Sequence, residues 1–269
     1  VKQTYNLLNE YFDYLMREEF IKKNPMNAVP TIKKSNYLAK QNKEVLPVCE
    51  TITVFTDDEI EKFKAEAYKK YPSGKPKHNQ ASAYILMLNT GLRTAEVLGL
   101  INSDIDLEKK VMHIQRGVKE AQKRDGTERK SGREIVVGKL KTASSKRIVP
   151  LNETAIQAII ELRNERYFGE DAPLIPDADG NFTRPLNLRK RFYSILDAAG
   201  IEKKGLHSLR HTFATKLVTG VRADDGTVKA LTPRQVADLL GHTTSEITEM
   251  YYVKRNTDML MGITNEFEL

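Results

Sequence analysis

The hydrophobic positions of this chain recur mostly at the three- and four-residue spacing that is typical of amphipathic helices. The first such stretch covers residues 1–22 and is followed by Asn24 and Pro25, a pair that favours a helix end. One helix cannot bury its own apolar face, so we expect it to belong to a small helical unit whose other helices lie upstream. A lysine-rich run between Pro30 and Pro47 then predicts a linker.

Later stretches repeat the helical spacing and begin with residues that cap helices. Thr56 stands before three acidic residues, and Asn152 stands before Glu153. Thr232 stands before Pro233, which is favoured at the first helical position. The predicted helices cover residues 56–70, 79–89, 95–100, 152–167, 187–199, 208–218 and 232–241, with a further helix from 244 onward.

Three short segments, 111–114, 134–138 and 147–151, have the composition of strands and predict one small antiparallel sheet. The polar stretch 117–134 contains two turn dipeptides and predicts a long hairpin. Residues 220–230 fit either a hairpin or a disordered loop. The predicted fold class is therefore mainly α with a small antiparallel β-sheet, an α+β arrangement.

Composition narrows the class of protein. The 269 residues are 40% hydrophobic and 29% charged, which fits a soluble globular protein with a substantial core. Because no apolar run reaches about 18 residues, the sequence predicts no membrane span. The single cysteine, Cys49, has no partner within the chain and fits a reducing cytosol. The net charge of +7 favours an anionic partner such as nucleic acid, and the start at Val1 rather than Met suggests a fragment.

Four motifs follow one another between residues 56 and 255. They read TGLRTAEVLGL, LKTASSKRIVPL, HSLRHTFAT and LLGHTTSEITEMYY. In this order they resemble the active-site motifs of the tyrosine recombinases, the phage-type integrase family, and most closely the integrases of bacterial conjugative transposons or prophages. The resemblance identifies six candidate active-site residues: Arg93, Lys141, His207, Arg210, His242 and Tyr251.

The resemblance implies a site-specific recombinase that cuts and rejoins DNA through a 3′-phosphotyrosine intermediate, for integration and excision of a mobile element. Residues 1–45 would be the end of a helical core-DNA-binding domain plus linker, and residues 46–269 the catalytic domain with its C-terminal tail. The partners implied are double-stranded DNA at the element ends and the target site, further copies of the chain as a dimer to tetramer, and accessory DNA-bending or excision proteins. The location implied is the bacterial cytoplasm, at the nucleoid.

Charge development during phosphodiester cleavage explains the two arginines. Negative charge grows on the non-bridging oxygens as the nucleophile attacks, and the planar fork of Arg93 or Arg210 matches those oxygens. A tyrosine hydroxyl has a pKa near ~10, so the nucleophile needs nearby cations or a base. By resemblance, Tyr251 attacks the phosphate and Lys141 protonates the leaving 5′ oxygen.

The resemblance assigns the two remaining histidines to the phosphate as well. His207 and His242 would donate hydrogen bonds to it, and His207 would assist proton transfer at the tyrosine. Because the enzyme–DNA bond conserves the energy of the phosphodiester, the implied reaction needs no cofactor and no metal.

The residues themselves leave several assignments open. Tyr252 adjoins Tyr251, and the distance of nine residues from His242 favours Tyr251. Two further lysines, Lys139 and Lys146, flank the candidate general acid.

Structural and metal-binding roles also compete with the catalytic assignment. Taken singly, Arg93 fits a turn cap and Arg210 a buried ion-pair partner, while Glu96 fits either an orienting group for Arg93 or plain helix support. His207 and His211 stand four residues apart, a spacing that two metal ligands on a helix can have, although the sequence indicates no third ligand.

Two functional alternatives remain. A type IB topoisomerase would use the same chemistry to relax DNA without exchanging strands. A catalytically silent DNA-binding protein would keep the fold alone.

Overall fold

The computed structural model describes residues 2–29, 53–125, 128–139, 146–222 and 228–241. The chain divides into two compact units, Val1–Pro47 and Val48–Leu269. In the described part of the first unit, helix α1 (Lys2–Arg17) is followed by a short 3-10 helix, Pro25–Ala28.

Helix α1 ends earlier than the sequence pattern predicts. Glu19 has a left-handed φ of 61°, and the Phe20 amide donates to the carbonyl of Leu15 at 2.9 Å, a bond that closes the last helical turn. Asn24 therefore does not end α1. Its side chain instead caps the 3-10 helix by accepting from the amide of Met26 at 2.8 Å.

The second unit is mainly helical, as predicted. A short 3-10 helix, Asn102–Asp104, precedes its first strand. The described α-helices of this unit are α2 (Asp57–Ala67), α3 (Ser82–Thr90), α4 (Thr94–Gly99), α5 (Glu153–Glu165), α6 (Pro185–Ala198), α7 (His207–Thr219) and α8 (Pro233–Leu240).

The predicted helix starts are confirmed where a nearby capping residue determines them. Thr56 and Glu59 form a reciprocal capping box at the start of α2, and Thr232 and Gln235 form another at α8. The Asn152 side chain caps α5 by accepting from the third helical amide at 2.8 Å. At these three helix starts, residues close together in the sequence were enough to predict where the helix begins.

Helix α3 starts three residues later than predicted, and a long-range contact accounts for the delay. Gln80 has a left-handed φ of 55°, and its amide donates to both carboxylate oxygens of Glu165 at 2.9 and 2.8 Å. This conformation cannot continue a right-handed helix. The regular helix therefore begins at Ser82.

The strands are antiparallel, as predicted, but they form separate sheets among the described residues. One sheet has the order β1-β2-β5, a long hairpin pairs β3 with β4, and a short pair joins β6 to β7. The prediction of one sheet holding residues 134–138 was wrong, because these residues lie in β4 and pair with β3. The strands are β1 (Ile105–Asp106), β2 (Val111–Ile114), β3 (Arg116–Asp125), β4 (Glu128–Lys139), β5 (Arg147–Pro150), β6 (Val221–Arg222) and β7 (Val228–Lys229).

The hairpin of β3 and β4 runs from the pair Arg116–Lys139 to the pair Asp125–Glu128. Only two residues of the sequence separate the two strands, so each finds its partner locally rather than in the more distant sheet. The predicted hairpin over 117–134 is thus confirmed and is longer than expected. Of the two alternatives left open for residues 220–230, the structure shows strand pairing, between β6 and β7.

Helix α3 forms the centre of the main core. Its residues Tyr84, Ile85, Leu86 and Met87 are buried on all sides, and it packs against α5 and α7. A smaller cluster joins α7 to α8 through Ala214, Val236 and Leu240, with Phe213 against it. The two cores meet at Gly91, which ends α3.

Gly91 should be the costlier of two glycines to replace. Both Gly91 (φ +63°) and Gly200 (φ +65°) have left-handed backbones, where alanine costs about 1–2 kcal/mol. A Cβ on Gly91 would also lie 2.5 Å from Phe213 and 2.6 Å from Leu240, whereas one on Gly200 meets no atom within 4 Å.

We expect Gly91→Ala to lower the free energy of unfolding by about 1–3 kcal/mol more than Gly200→Ala, because overpacking adds to the backbone cost. Urea titrations of both variants measure the difference. An equal decrease in the free energy of unfolding for the two variants would contradict the close approach of Gly91 to Phe213 of α7 and Leu240 of α8.

Candidate active site

The candidate site is built where three parts of the second unit meet. The turn between α3 and α4 contributes Arg93, the first turn of α7 contributes His207 and Arg210, and the last turn of α8 contributes main-chain carbonyl groups. The structure therefore brings together three of the six residues that the sequence predicted. Lys141, His242 and Tyr251 lie outside the described residues.

Arg93 stands at the entrance of α4 and is held by Glu96 one turn later. The Glu96 carboxylate accepts from the Arg93 amide at 2.9 Å and from Nη1 at 2.6 Å. Nη2 points to the carbonyl of Gly241 at 3.4 Å. About a third of the side chain (34%) remains exposed.

Arg210 forms the buried floor of the site. Only 2% of the residue is exposed, and its guanidinium donates to the carbonyls of Gly91 at 2.7 Å and Leu240 at 2.9 Å. Both carbonyls lie at the C-terminal ends of helices, where a cation is favoured. Burial, then the positive charge of Arg93, lowers the pKa of Arg210 to about 9, which still leaves it protonated at pH 7.

A third arginine, Arg147 on β5, enters the same cluster. Its Nη1 and Nη2 atoms lie 3.2 and 3.0 Å from the two oxygens of Glu96, and Nε donates to the carbonyl of Leu239 at 2.8 Å. The side chain is 7% exposed. Sequence reasoning missed it, although it lies in the LKTASSKRIVPL motif as a basic residue beside apolar neighbours.

The last turn of α8 is thereby bound by three side chains. Arg147 reaches the carbonyl of Leu239, Arg210 that of Leu240 and, at a longer distance, Arg93 that of Gly241. Because a helix C-terminus carries partial negative charge, each contact is electrostatically favourable. His242 follows this turn directly in the sequence.

Glu96 is the counter-ion of the cluster and is 2% exposed. Burial alone would raise the pKa of its carboxyl, but hydrogen bonding and charge pairing with Arg147, and then hydrogen bonds from Arg93, outweigh burial and lower it. Three guanidinium groups around one carboxylate leave an excess of positive charge. Such a place suits a bound anion, and phosphate in particular.

His207 begins α7 at the surface, and its ring packs edge-on against His211, with ring centroids 4.9 Å apart. Desolvation, followed by the charges of Arg210 and Arg93, lowers the pKa of His207. Neutral imidazole is then its main form at pH 7, with one nitrogen able to donate and the other to accept. Desolvation and the charge of His207 lower the pKa of His211 to about 4.

Within the ranges that the structure describes, no group of three or more histidine, cysteine or acidic side chains is placed to hold a metal ion. Among the same residues, no helix has both the length and the apolar character to cross a membrane.

Comparison with known proteins now adds to this geometry. The model of the phage integrase family matches residues 53–258, most of the chain. This chain belongs to the phage integrase family. The resemblance inferred from the four motifs is thereby confirmed.

Relatives and solved structures agree with this membership. A "Tyrosine recombinase XerC-like" protein of Caldanaerobacter subterraneus subsp. tengcongensis is 30% identical over 265 residues, 94% of this chain and 61% of that protein. The Tn1549 transposon integrase in complex with a circular intermediate DNA has a TM-score of 0.68 at 19% identity, over 98% of this chain and 78% of that one. A lambda integrase dimer bound to a COC′ core site has a TM-score of 0.57 at 16% identity, over 95% of this chain and 59% of that one.

These likenesses confirm the predicted fold class. The chain spans only about three fifths of the length of the XerC-like relative.

The depressed pKa of His211 predicts a pH dependence of stability. In the unfolded chain His211 takes up a proton near pH 6.5, but in the folded protein only near pH 4. Its contribution to stability is therefore complete above pH 6.5 and is lost as the pH falls toward 4. We expect the free energy of unfolding to fall by about 1–2 kcal/mol from this group between pH 6.5 and 5.

The variant His211→Gln isolates that contribution. Denaturant titrations at pH 7.5, 6.5, 5.5 and 5 should give a shallower decline for the variant than for the unaltered chain. Parallel curves would show that His211 titrates alike in the folded and unfolded states, contrary to this prediction.

Proposed function

We propose that this chain is the catalytic part of a site-specific DNA recombinase, an enzyme that cuts and rejoins DNA through a 3′-phosphotyrosine intermediate. One observation carries the proposal: in a member of the phage integrase family, Arg93 and Arg210 both contact carbonyls at the end of α8, and their charges act on the neighbouring His207. The chain continues from there directly to His242 and Tyr251.

The convergent arginines suit a scissile phosphate. Arg93 has a side chain that is one-third exposed, whereas Arg210 adds positive charge from beneath the surface. His207, at the surface and mainly neutral, can offer a ring N–H to a non-bridging oxygen. Donors that are already oriented stabilise the charge that grows on these oxygens in the transition state.

The proposed covalent step is a transesterification. The Tyr251 oxygen attacks phosphorus, a new P–O bond forms, and the bond from phosphorus to the 5′ oxygen of the next nucleotide breaks. Lys141 gives its proton to the leaving 5′ oxygen, and His207 accepts the proton of the tyrosine hydroxyl. Attack by a free 5′ hydroxyl reverses the step and rejoins the strand, so the reaction needs no external energy source.

The relatives support double-stranded DNA as the partner and self-assembly on it. The solved neighbours include a lambda integrase dimer on a core site and a lambda integrase tetramer on a Holliday junction. We therefore propose that this chain acts as a dimer to tetramer on DNA, with accessory DNA-bending or excision proteins, at the bacterial nucleoid.

Further parts of the proposal concern domains and strand exchange. Residues 1–45 would end the core-binding domain, and residues 46–269 would form the catalytic domain. The similarity to proteins named recombinase and integrase favours strand exchange over topoisomerase activity.

The nucleophile can be tested by trapping the covalent intermediate. Duplexes that the chain binds are first selected from a random-sequence pool, and a nick then lets the short 5′-hydroxyl fragment diffuse away. On a denaturing gel we expect a protein–DNA band with the unaltered chain and with Tyr252→Phe, but none with Tyr251→Phe. A band lost only in Tyr252→Phe would move the nucleophile by one residue, and absence of the band on every selected duplex would contradict the proposed chemistry.

The phosphate-binding roles predict a second result on the same duplex. Replacing Arg93 with lysine removes the planar fork but keeps the charge, so we expect Arg93→Lys to slow formation of the covalent complex by about 100-fold. The matched control, Arg189→Lys, alters an exposed arginine on α6 and should leave the rate unchanged. Single-turnover rates at saturating enzyme measure both, and equal rates for the two variants would contradict a role for Arg93 at the phosphate.

A further inference from the structure

We propose that Arg147 is a positioning residue of the active site, a role beyond the six residues of the resemblance. It joins the strand that follows the Lys141 segment to the helix of Arg93 and to the helix before His242. This inference rests on the proposed function, because it concerns the same reaction.

The geometry of Arg147 favours positioning over direct contact with DNA. Its guanidinium contacts both oxygens of the Glu96 carboxylate, with Nη1 on one oxygen at 3.2 Å and Nη2 on the other at 3.0 Å. Its Nε is directed to the carbonyl of Leu239 at 2.8 Å. All three of its nitrogen atoms bind Glu96 or Leu239, and 7% of the side chain is exposed, so we infer that Arg147 acts on the substrate through the groups that it holds.

The contacts of Arg147 connect segments that are far apart in the sequence. Glu96 precedes it by 51 positions and Leu239 follows it by 92. A bidentate pair fixes both the distance and the plane of its two partners, which a single hydrogen bond does not. The guanidinium of Arg147 thus sets the position of β5 relative to α4 and to the last turn of α8.

Glu96 explains why this position matters for catalysis. The carboxylate orients Arg93, but a buried carboxylate paired with Arg93 alone would also neutralise the charge that the phosphate needs. Arg147 binds both oxygens of Glu96 and offsets its negative charge. Arg93 is then oriented by Glu96 and still presents positive charge to an anion.

The contact with Leu239 has a second consequence. This carbonyl lies in the last turn of α8, three residues before His242. Loss of the bond removes one of the side chains that hold this turn. A displacement of the following segment by about 1 Å is enough to slow a well-oriented reaction by about 100-fold.

The test compares Arg147→Met with Arg147→Lys and with a matched control, Arg116→Met. Arg116 also pairs with a carboxylate, that of Asp104 at 2.5 Å, and lies 3.4 Å from the carbonyl of Gly99. Within the part of the chain that the structure describes, its hydrogen bonds reach Asp104 and Gly99 but neither α8 nor Glu96, so it controls for the loss of an ion pair in the same part of the fold.

Three quantities are measured on the chain and its variants. The first is the rate of covalent-complex formation on the nicked duplex as a function of DNA concentration, which separates the maximal rate from half-saturation. The second is hydrogen–deuterium exchange in the peptide that covers the last turn of α8. The third is the midpoint of thermal unfolding, which reports the general loss of stability.

We expect Arg147→Met to lower the maximal rate by about 100-fold and to leave half-saturation within about threefold. Arg147→Lys keeps the charge on Glu96 but not the bidentate fit, and should lower the rate by about 10-fold. Exchange at the end of α8 should be faster by about 10-fold in Arg147→Met. Arg116→Met should lower the midpoint of thermal unfolding about as much as Arg147→Met does. Its rate of covalent-complex formation and its exchange at the end of α8 should stay near those of the unaltered chain.

Two results would overturn the inference: an Arg147→Met rate within about threefold of Arg116→Met, or unchanged exchange at the end of α8. If Arg147→Met does not fold, the test rests on Arg147→Lys. A rate of covalent-complex formation by Arg147→Lys equal to that of the unaltered chain would then refute the positioning role. Failure of the proposed function is recognised separately, because the unaltered chain would then form no covalent complex. Unchanged exchange in the Arg147 variants would refute the positioning role in that case as well.

Discussion

The paired charges around Glu96 are the interaction on which the rest of the site depends. A carboxylate at 2% exposure is stable in its charged form only if cations meet it directly, and Arg93 and Arg147 do so from different elements. The charge requirement therefore also fixes geometry, because α4 and β5 must approach from directions that allow both contacts. The helix that carries Glu96 is short, and its place is secured by these ion pairs together with the apolar residues Val97 and Leu98 beneath it.

The end of α8 is stabilised in a similar way, by the pairing of partial charges with arginines. Its last carbonyls face arginines rather than water, so the negative end of the helix and the cationic cluster stabilise each other. The apolar side of α8 packs on α7 through Val236 and Leu240. One short helix is thus held by burial on one side and by electrostatics at its end, and the chain leaves that end toward the segment with His242 and Tyr251.

Sequence reasoning succeeded where the determinant was local and failed where it was distant. The caps at Thr56, Asn152 and Thr232 lie within three residues of the amides that they bind, so pattern alone predicts those helix starts. The late start of α3 depends on Glu165, which binds the amide of Gln80 from 85 positions away. Arg147 was missed for the same reason: as a strand arginine it has an ordinary pattern, and its two partners are brought to it only by the folded chain. The motifs pointed to Arg93, His207 and Arg210, which the fold brings near one another, but not to the carboxylate and the helix end that the arginines share.

The burial of Arg210 has an entropic consequence. The rotamer entropy of an arginine side chain is worth about 2 kcal/mol, and it is normally lost when the side chain binds an anion. In this protein the carbonyls of Gly91 and Leu240 already immobilise the guanidinium during folding. The rotamer freedom of Arg210 is therefore already lost on folding, and in the proposed reaction its guanidinium would meet the phosphate without a further entropic cost.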